Sequence, residues 1–170
     1  MTRTKALLFG WTFFAMIPGT AAADQAPLLA ISSLSDLSVP DRPYDEKVNA
    51  ESAVAAAFAR ARTSHKRVLI DLGANWCADC RILSGVMQLP QMRAFLNAHY
   101  EIVLVDVGRF DTNLQIPARF GIAQRLEGVP AVLIADPDGT LVNKDHVEGI
   151  DGAGSMTPQA IADWLAQWAN

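Results

Sequence analysis

Two cysteines, Cys77 and Cys80, make up the whole thiol content of this 170-residue chain, and they stand three positions apart in Trp76-Cys77-Ala78-Asp79-Cys80. The apolar run Val68-Leu69-Ile70-Asp71-Leu72 comes just before them and reads as a buried strand. A C-x-x-C between a strand and a following helix puts both sulfurs on one face, close enough to bridge. The first sulfur then meets the unpaired N–H groups and the dipole of the helix start, which favour a thiolate over a thiol. The chemistry this points to is thiol–disulfide exchange. Two other readings use the same residues. A pair of thiolates can carry soft Cu(I), and a Cys77–Cys80 bond can be a structural bridge in a non-catalytic binding scaffold. So short a bridge encloses little chain and is a weak staple. His65, His99 and His146 are isolated, and none falls at a ligand spacing from the cysteines. No metal ligand is assigned.

The elements that must hold these residues can be read on either side of them. Strand Arg67–Gly73 leads into a helix that begins near Cys77 and weakens before Pro90. Met92, Phe95 and Leu96 give a short second helix, and 101–107 is a second apolar run with strand character. A strand–helix–strand unit of this kind generates parallel pairing. Upstream, Val48, Ala53, Val54, Ala57, Phe58 and Ala61 recur at helical spacing over 48–63. Downstream, Asp136-Pro137-Asp138-Gly139 is a turn signal between 131–135 and 140–143, which predicts a hairpin. A glycine-spaced loop over 149–154 follows. Thr157 then caps a last helix with Pro158 at its first position, and Ile161, Trp164, Leu165 and Trp168 form its buried stripe.

Residues 1–23 read as a signal peptide. Arg3 and Lys5 precede a mostly apolar run from Ala6 to Ile17, Pro18-Gly19 breaks it, and Thr20-Ala21-Ala22-Ala23 offers cleavage after Ala23. The run is short for a membrane span, and an uncleaved anchor is the alternative. Residues 24–46 mix Pro, Ser and Asp and read as a linker or loosely docked arm, which leaves 47–170 as one domain with a core of its own. The net charge of −4 comes from 18 acidic and 14 basic residues, with no cluster of Lys and Arg. Nucleic-acid binding is therefore excluded as a class.

The segment Val68-Leu69-Ile70-Asp71-Leu72-Gly73-Ala74-Asn75-Trp76-Cys77-Ala78-Asp79-Cys80 resembles the active-site segment of the thioredoxin superfamily. Trp76 precedes the first cysteine, Asp71 stands six residues before it, and Gly128-Val129-Pro130 lies downstream, where the family has its cis-proline loop. The wording around the cysteines is also similar to exported bacterial thioredoxin-like proteins, some resembling the soluble C-terminal domain of a membrane electron transporter. The resemblance implies a thioredoxin-like three-layer α/β/α sandwich with a central mixed sheet. It implies that Cys77 attacks and the more buried Cys80 resolves. A buried Asp71, its pKa raised by desolvation, would take the proton from Cys80. Trp76, Val129 and Pro130 would meet the substrate, with Val129-Pro130 cis and Val129 free to pair with an extended strand.

The chain departs from the family's pattern in three places. Ala78-Asp79 replaces the familiar Gly-Pro. A carboxylate beside the thiols opposes thiolate formation but suits the helix dipole, so its net effect is open. Ile102 stands where a Lys often partners the buried Asp, which leaves the proton path of Asp71 to bound water. The connection Ala123-Gln124-Arg125-Leu126-Glu127 is longer than in a minimal thioredoxin; either Arg125 and Glu127 line the substrate surface or the segment is a tolerated surface insertion. Residues 108–113 suit a loop near the site, with no role assigned. The resulting expectation is a periplasmic, monomeric thiol–disulfide oxidoreductase working as a disulfide reductase. It needs no cofactor beyond its Cys77–Cys80 pair. Its partners would be protein thiols and disulfides and a membrane-bound electron donor.

Overall fold

The structure, a computed structural model, describes residues 25–122 and 126–169. The proposed leader and Ala123-Gln124-Arg125 lie outside the described residues. Strand β1 (Arg67–Gly73) is the middle of a three-stranded sheet, between β2 (Tyr100–Asp106) and β3 (Ala131–Ala135). β1 and β2 run parallel, with Asp71 beside Leu104, whereas β3 is antiparallel to β1 and sets Val132 beside Asp71. The strand–helix–strand expectation holds: β1 and β2 are joined by α2 (Ala78–Gln88) and α3 (Pro90–His99). All of β1 after Arg67 is buried, as suits a central strand covered on both faces.

The two faces have separate cores. Val68, Ile70 and Leu72 of β1 pack with Val54, Ala57 and Ala61 of α1 (Ala50–Ser64) and with Ile116 of α4 (Gln115–Arg119). Leu69 points the other way, with Val132 and Ile134, toward Leu83 of α2, Leu96 of α3, and Ile161 of α5 (Pro158–Ala166). This period-two alternation puts Asp71 on the face of Leu69 and of Gly73, against which Cys80 Sγ lies. The result is the expected α/β/α sandwich around a mixed sheet.

Several helix ends follow the sequence closely. Asn49 caps α1, its side chain accepting from Ser52 N at 2.9 Å, and Thr157 caps α5 by accepting from Ala160 N at 3.1 Å. Of the expected stripe on α5, Ile161 and Leu165 are buried, while Trp164 and Trp168 lie partly buried at its edge, 6.1 Å apart in a T-shaped contact.

Two expectations need correction. The hairpin has its turn, with Gly139 N donating to Asp136 O, but its return arm is a single bridge between Ala135 and Leu141. The reason is Asn143. Its side chain takes the place of a neighbouring strand, accepting from Ile134 N and donating to Val132 O, each at 2.8 Å. The arm before the domain is also firmly docked. Leu29 N donates to Gln159 of α5, and Arg81 of α2 holds Pro40 O and Asp41. Leu37 is buried over Gly85, where a Cβ would lie 3.1 Å from Leu37 Cδ2 and from Ser38 O, a tight contact.

Candidate active site

The site forms where β1 ends and α2 begins. Cys77 is the N-cap of α2, and its sulfur accepts the Cys80 N–H at 3.1 Å. An N–H aimed at that sulfur stabilises negative charge there, adding to the helix dipole. Cys77 and Cys80 are joined in a disulfide with a Cα–Cα distance of 5.3 Å. Cys77 keeps a small exposed surface (5%), whereas Cys80 has none. That asymmetry suits the expected order, an accessible attacker and a buried resolver.

The Val129-Pro130 peptide is cis, as the resemblance implied. It brings the Val129 carbonyl oxygen to 3.4 Å from Cys77 Sγ. Sequence positions 52 apart thus meet at the reacting sulfur. Trp76 is half exposed beside them, and the loop over 108–113, to which the sequence assigns no role, builds its seat. Trp76 Nε1 donates to Gly108 O at 2.7 Å, the Phe110 ring meets it edge-on at 6.1 Å, and the Arg109 guanidinium lies 5.5 Å from its ring centre. Gly108, Phe110 and Asn113 all adopt positive φ in this loop, an uncommon conformation for a bulky residue such as Phe110.

Asp71 is fully buried beneath the pair, and desolvation pushes its pKa up to about 7. Its surroundings differ from expectation in two ways. The β2 residue beside it is Leu104, since Ile102 pairs with Leu69; the neighbour is apolar either way. Its polar partner comes from the arm: the Tyr44 hydroxyl donates to Asp71 Oδ2 at 2.9 Å. Asp71 Oδ1 has no partner among the described residues. The buried carboxylate therefore has a tyrosine hydroxyl as its polar partner. Tyr44 was missed because it lies 27 positions upstream in a polar, proline-containing stretch. Being an aromatic residue there was its one signal.

Asp79 has a different setting from the one its sequence position suggests. Its Oδ1 accepts from Gly154 N at 2.6 Å, in the 3-10 turn Ala153–Ser155 before α5. The carboxylate is thus committed to a backbone N–H. The Glu127 backbone N–H donates to the Glu148 carboxylate at 2.8 Å. Among the described residues, no cluster of three or more His, Cys, Asp or Glu side chains could hold a metal ion, and no helix is long and apolar enough to cross a membrane. His65 closes α1, and His146 lies against Trp168. The assembled groups are those of dithiol–disulfide exchange: a helix-capping sulfur, a buried second sulfur, a buried carboxylate and a cis-proline rim.

The chain is similar to known proteins of this chemistry. The chain is 38% identical over 103 residues to the thiol:disulfide interchange protein DsbD 1 of Pseudomonas aeruginosa, covering 58% of this chain and 16% of that protein. It is 34% identical over 67 residues to a thioredoxin of Alicyclobacillus acidocaldarius, covering 39% of this chain and 59% of that one. The chain thus spans only part of the length of these curated relatives. Among solved structures, a disulphide isomerase from Xylella fastidiosa superposes with a TM-score of 0.69 at 36% identity, over 74% of this chain and 95% of that one. Residues 49–137, from the cap of α1 to the turn after β3, match the family described as thioredoxin-like. With the fold, the C-x-x-C at the helix start and the cis-proline in register, the chain belongs to the thioredoxin-like family.

Proposed function

We propose that the protein is an exported thiol–disulfide oxidoreductase that reduces disulfides in client proteins. The observation that carries this reading is the capped sulfur of Cys77, held by the Cys80 N–H at the rim of the cis-proline loop and above a buried carboxylate. In the reduced protein, the Cys77 thiolate attacks one sulfur of a client disulfide, forming a mixed disulfide and releasing the other client sulfur as a thiolate. The Cys80 thiol then loses its proton to Asp71 as its sulfur attacks Cys77 Sγ. The Cys77–Cys80 bond forms, the bond from Cys77 to the client breaks, and the second client thiolate leaves. Two electrons pass to the client, and the protein ends oxidised. Val129 and Pro130 flank the approach of an extended client segment, and Trp76 supplies an exposed apolar face beside it.

Asp71, whose proton affinity lies near neutrality, suits a base for Cys80 in the resolving step and its acid in the reverse step. Each turnover then needs electrons from outside. A membrane-bound donor in the periplasm fits a chain with an apolar leader and a likeness to an interchange protein, and the protein would work as a monomer. The likeness to a disulphide isomerase favours a second reading, isomerisation, by the same chemistry. Cu(I) delivery and a passive scaffold would leave the buried carboxylate without a task.

Trapping tests the reading. Reduced Cys80→Ser incubated with a disulfide-bonded protein should accumulate a mixed disulfide at Cys77, visible by mass spectrometry, and Cys77→Ser should accumulate none. Wild-type protein should reduce insulin with dithiothreitol as donor, whereas recovery of activity from scrambled ribonuclease without net reduction would favour isomerisation. Absence of any adduct on Cys77 would contradict both directions.

A further inference from the structure

The arm before the domain places a side chain in the redox site that the family-matching region, residues 49–137, does not contain. Tyr44 is buried, and its hydroxyl donates to Asp71 Oδ2 at 2.9 Å. Its backbone is gripped from both sides by Asn75, two residues before Cys77: Tyr44 N donates to Asn75 Oδ1 at 3.0 Å, and Asn75 Nδ2 donates to Tyr44 O at 2.9 Å. Asn75 also donates to Glu46 at 2.8 Å, so the active-site loop holds the arm at the tyrosine and just after it. Gly73 completes the seat. A Cβ there would run into the Tyr44 hydroxyl and would lie 3.0 Å from Cys80 Sγ, so the hydroxyl and the resolving sulfur border the same small space above Gly73.

We propose that Tyr44 is a positioning residue for the exchange reaction: its hydroxyl fixes the Asp71 carboxylate beneath Cys80 and sets how readily it takes the Cys80 proton. This rests on the exchange reading above, and it makes the arm a working part of the site. The chemical argument is short. A buried carboxylate without donors favours its protonated form, and a hydrogen bond to the charged form opposes that. Tyr44 supplies that bond, while burial and the charge of Asp71 keep the phenol itself protonated as a donor. Of the other groups around this space, Cys80 comes from α2, and Asp106, at the end of β2, acts on Tyr44 by its charge. Leu104 and Val132, beside Asp71 on the flanking strands, are apolar.

The test is Tyr44→Phe, which keeps the ring in its seat and removes the donor. Two readouts are taken on the full chain: the pH midpoint of the Asp71 carboxyl by carbon-13 NMR, and the pH profile of client-disulfide reduction, the second repeated in the Asp71→Asn background. Tyr44→Phe should raise the Asp71 midpoint by about one unit or more. The acidic limb of the rate profile should move up with it, and in the Asp71→Asn background Tyr44→Phe should change the rate no further. Asn75→Ala, which loosens the grip on Tyr44 without touching the carboxyl, should move both readouts the same way by less, and it serves if the first variant fails to fold. An unshifted midpoint in protein that still reduces disulfides would overturn the role of Tyr44. A shifted midpoint in protein that exchanges no disulfide would instead overturn the exchange reading on which that role rests.

Discussion

At the scale of single residues, Asp71 is the most consequential group after the two sulfurs. Its folded-state pKa of about 7 lies above its ordinary value of 3.8 because burial disfavours its charge. The folded protein therefore binds this proton more tightly than the unfolded chain does between those two values. The stability it contributes is full below the unfolded value and is lost as pH rises through the folded one. Asp71→Asn should accordingly stabilise the protein by a few kcal/mol at pH 8, with the gain fading toward pH 4, as read from urea unfolding across that range. The same variant should slow disulfide reduction. The place of Cys77 and Cys80 at a helix start was legible from their spacing of three, whereas the burial of Asp71 and the cis Val129-Pro130 peptide were legible only through the resemblance to the thioredoxin superfamily. Tyr44 was not, because its contact with Asp71 joins segments that sequence spacing does not relate.

Among the elements, α2 and the turn before α5 are joined through Asp79 and Gly154. A neutral side chain at 79 removes the charge that opposes a thiolate on Cys77, so Asp79→Asn should make the pair more oxidising by about 10–30 mV. Gly154→Ala should act the opposite way, because a Cβ there would sit 2.7 Å from Asp79 Oδ1 and push the carboxylate off its N–H. Equilibration of both variants against glutathione reads the two signs directly. The arm of chain after β3 offers a separate test. Asn143 is buried and serves two backbone groups of β3, so Asn143→Ala should cost about 2–4 kcal/mol in unfolding free energy by leaving both unsatisfied. Strand and helix positions were legible wherever caps and periodicity agreed, as at Thr157 and across Arg67–Gly73. The shortness of the hairpin's second arm was not, because a buried asparagine imitating a strand looks in sequence like any turn residue.

For the molecule as a whole, the site is assembled from three stretches of chain that meet only in the folded state: the arm with Tyr44, the β1–α2 junction with Asp71, Cys77 and Cys80, and the proline loop with Val129 and Pro130. The arm runs from α5 across α2 to the active-site loop, so it is part of the domain's packing, although its composition reads as linker. Its apolar anchors, Leu29, Ile31, Leu34, Leu37 and Tyr44, follow neither a helical nor a strand period. Removing residues 25–46 should lower the melting temperature and let iodoacetamide reach reduced Cys80 at a rate nearer that of Cys77, measured by peptide mass spectrometry. The account's central claim is that Cys77 and Cys80 form a reversible redox couple poised to reduce. It is tested most directly by equilibrating the folded protein with glutathione buffers at neutral pH and reading the dithiol fraction by thiol alkylation. The account predicts a midpoint near or below about −230 mV, toward the range of thioredoxin. A midpoint near about −120 mV would contradict the reductase direction, and cysteines that never equilibrate in the folded protein would contradict the redox site itself.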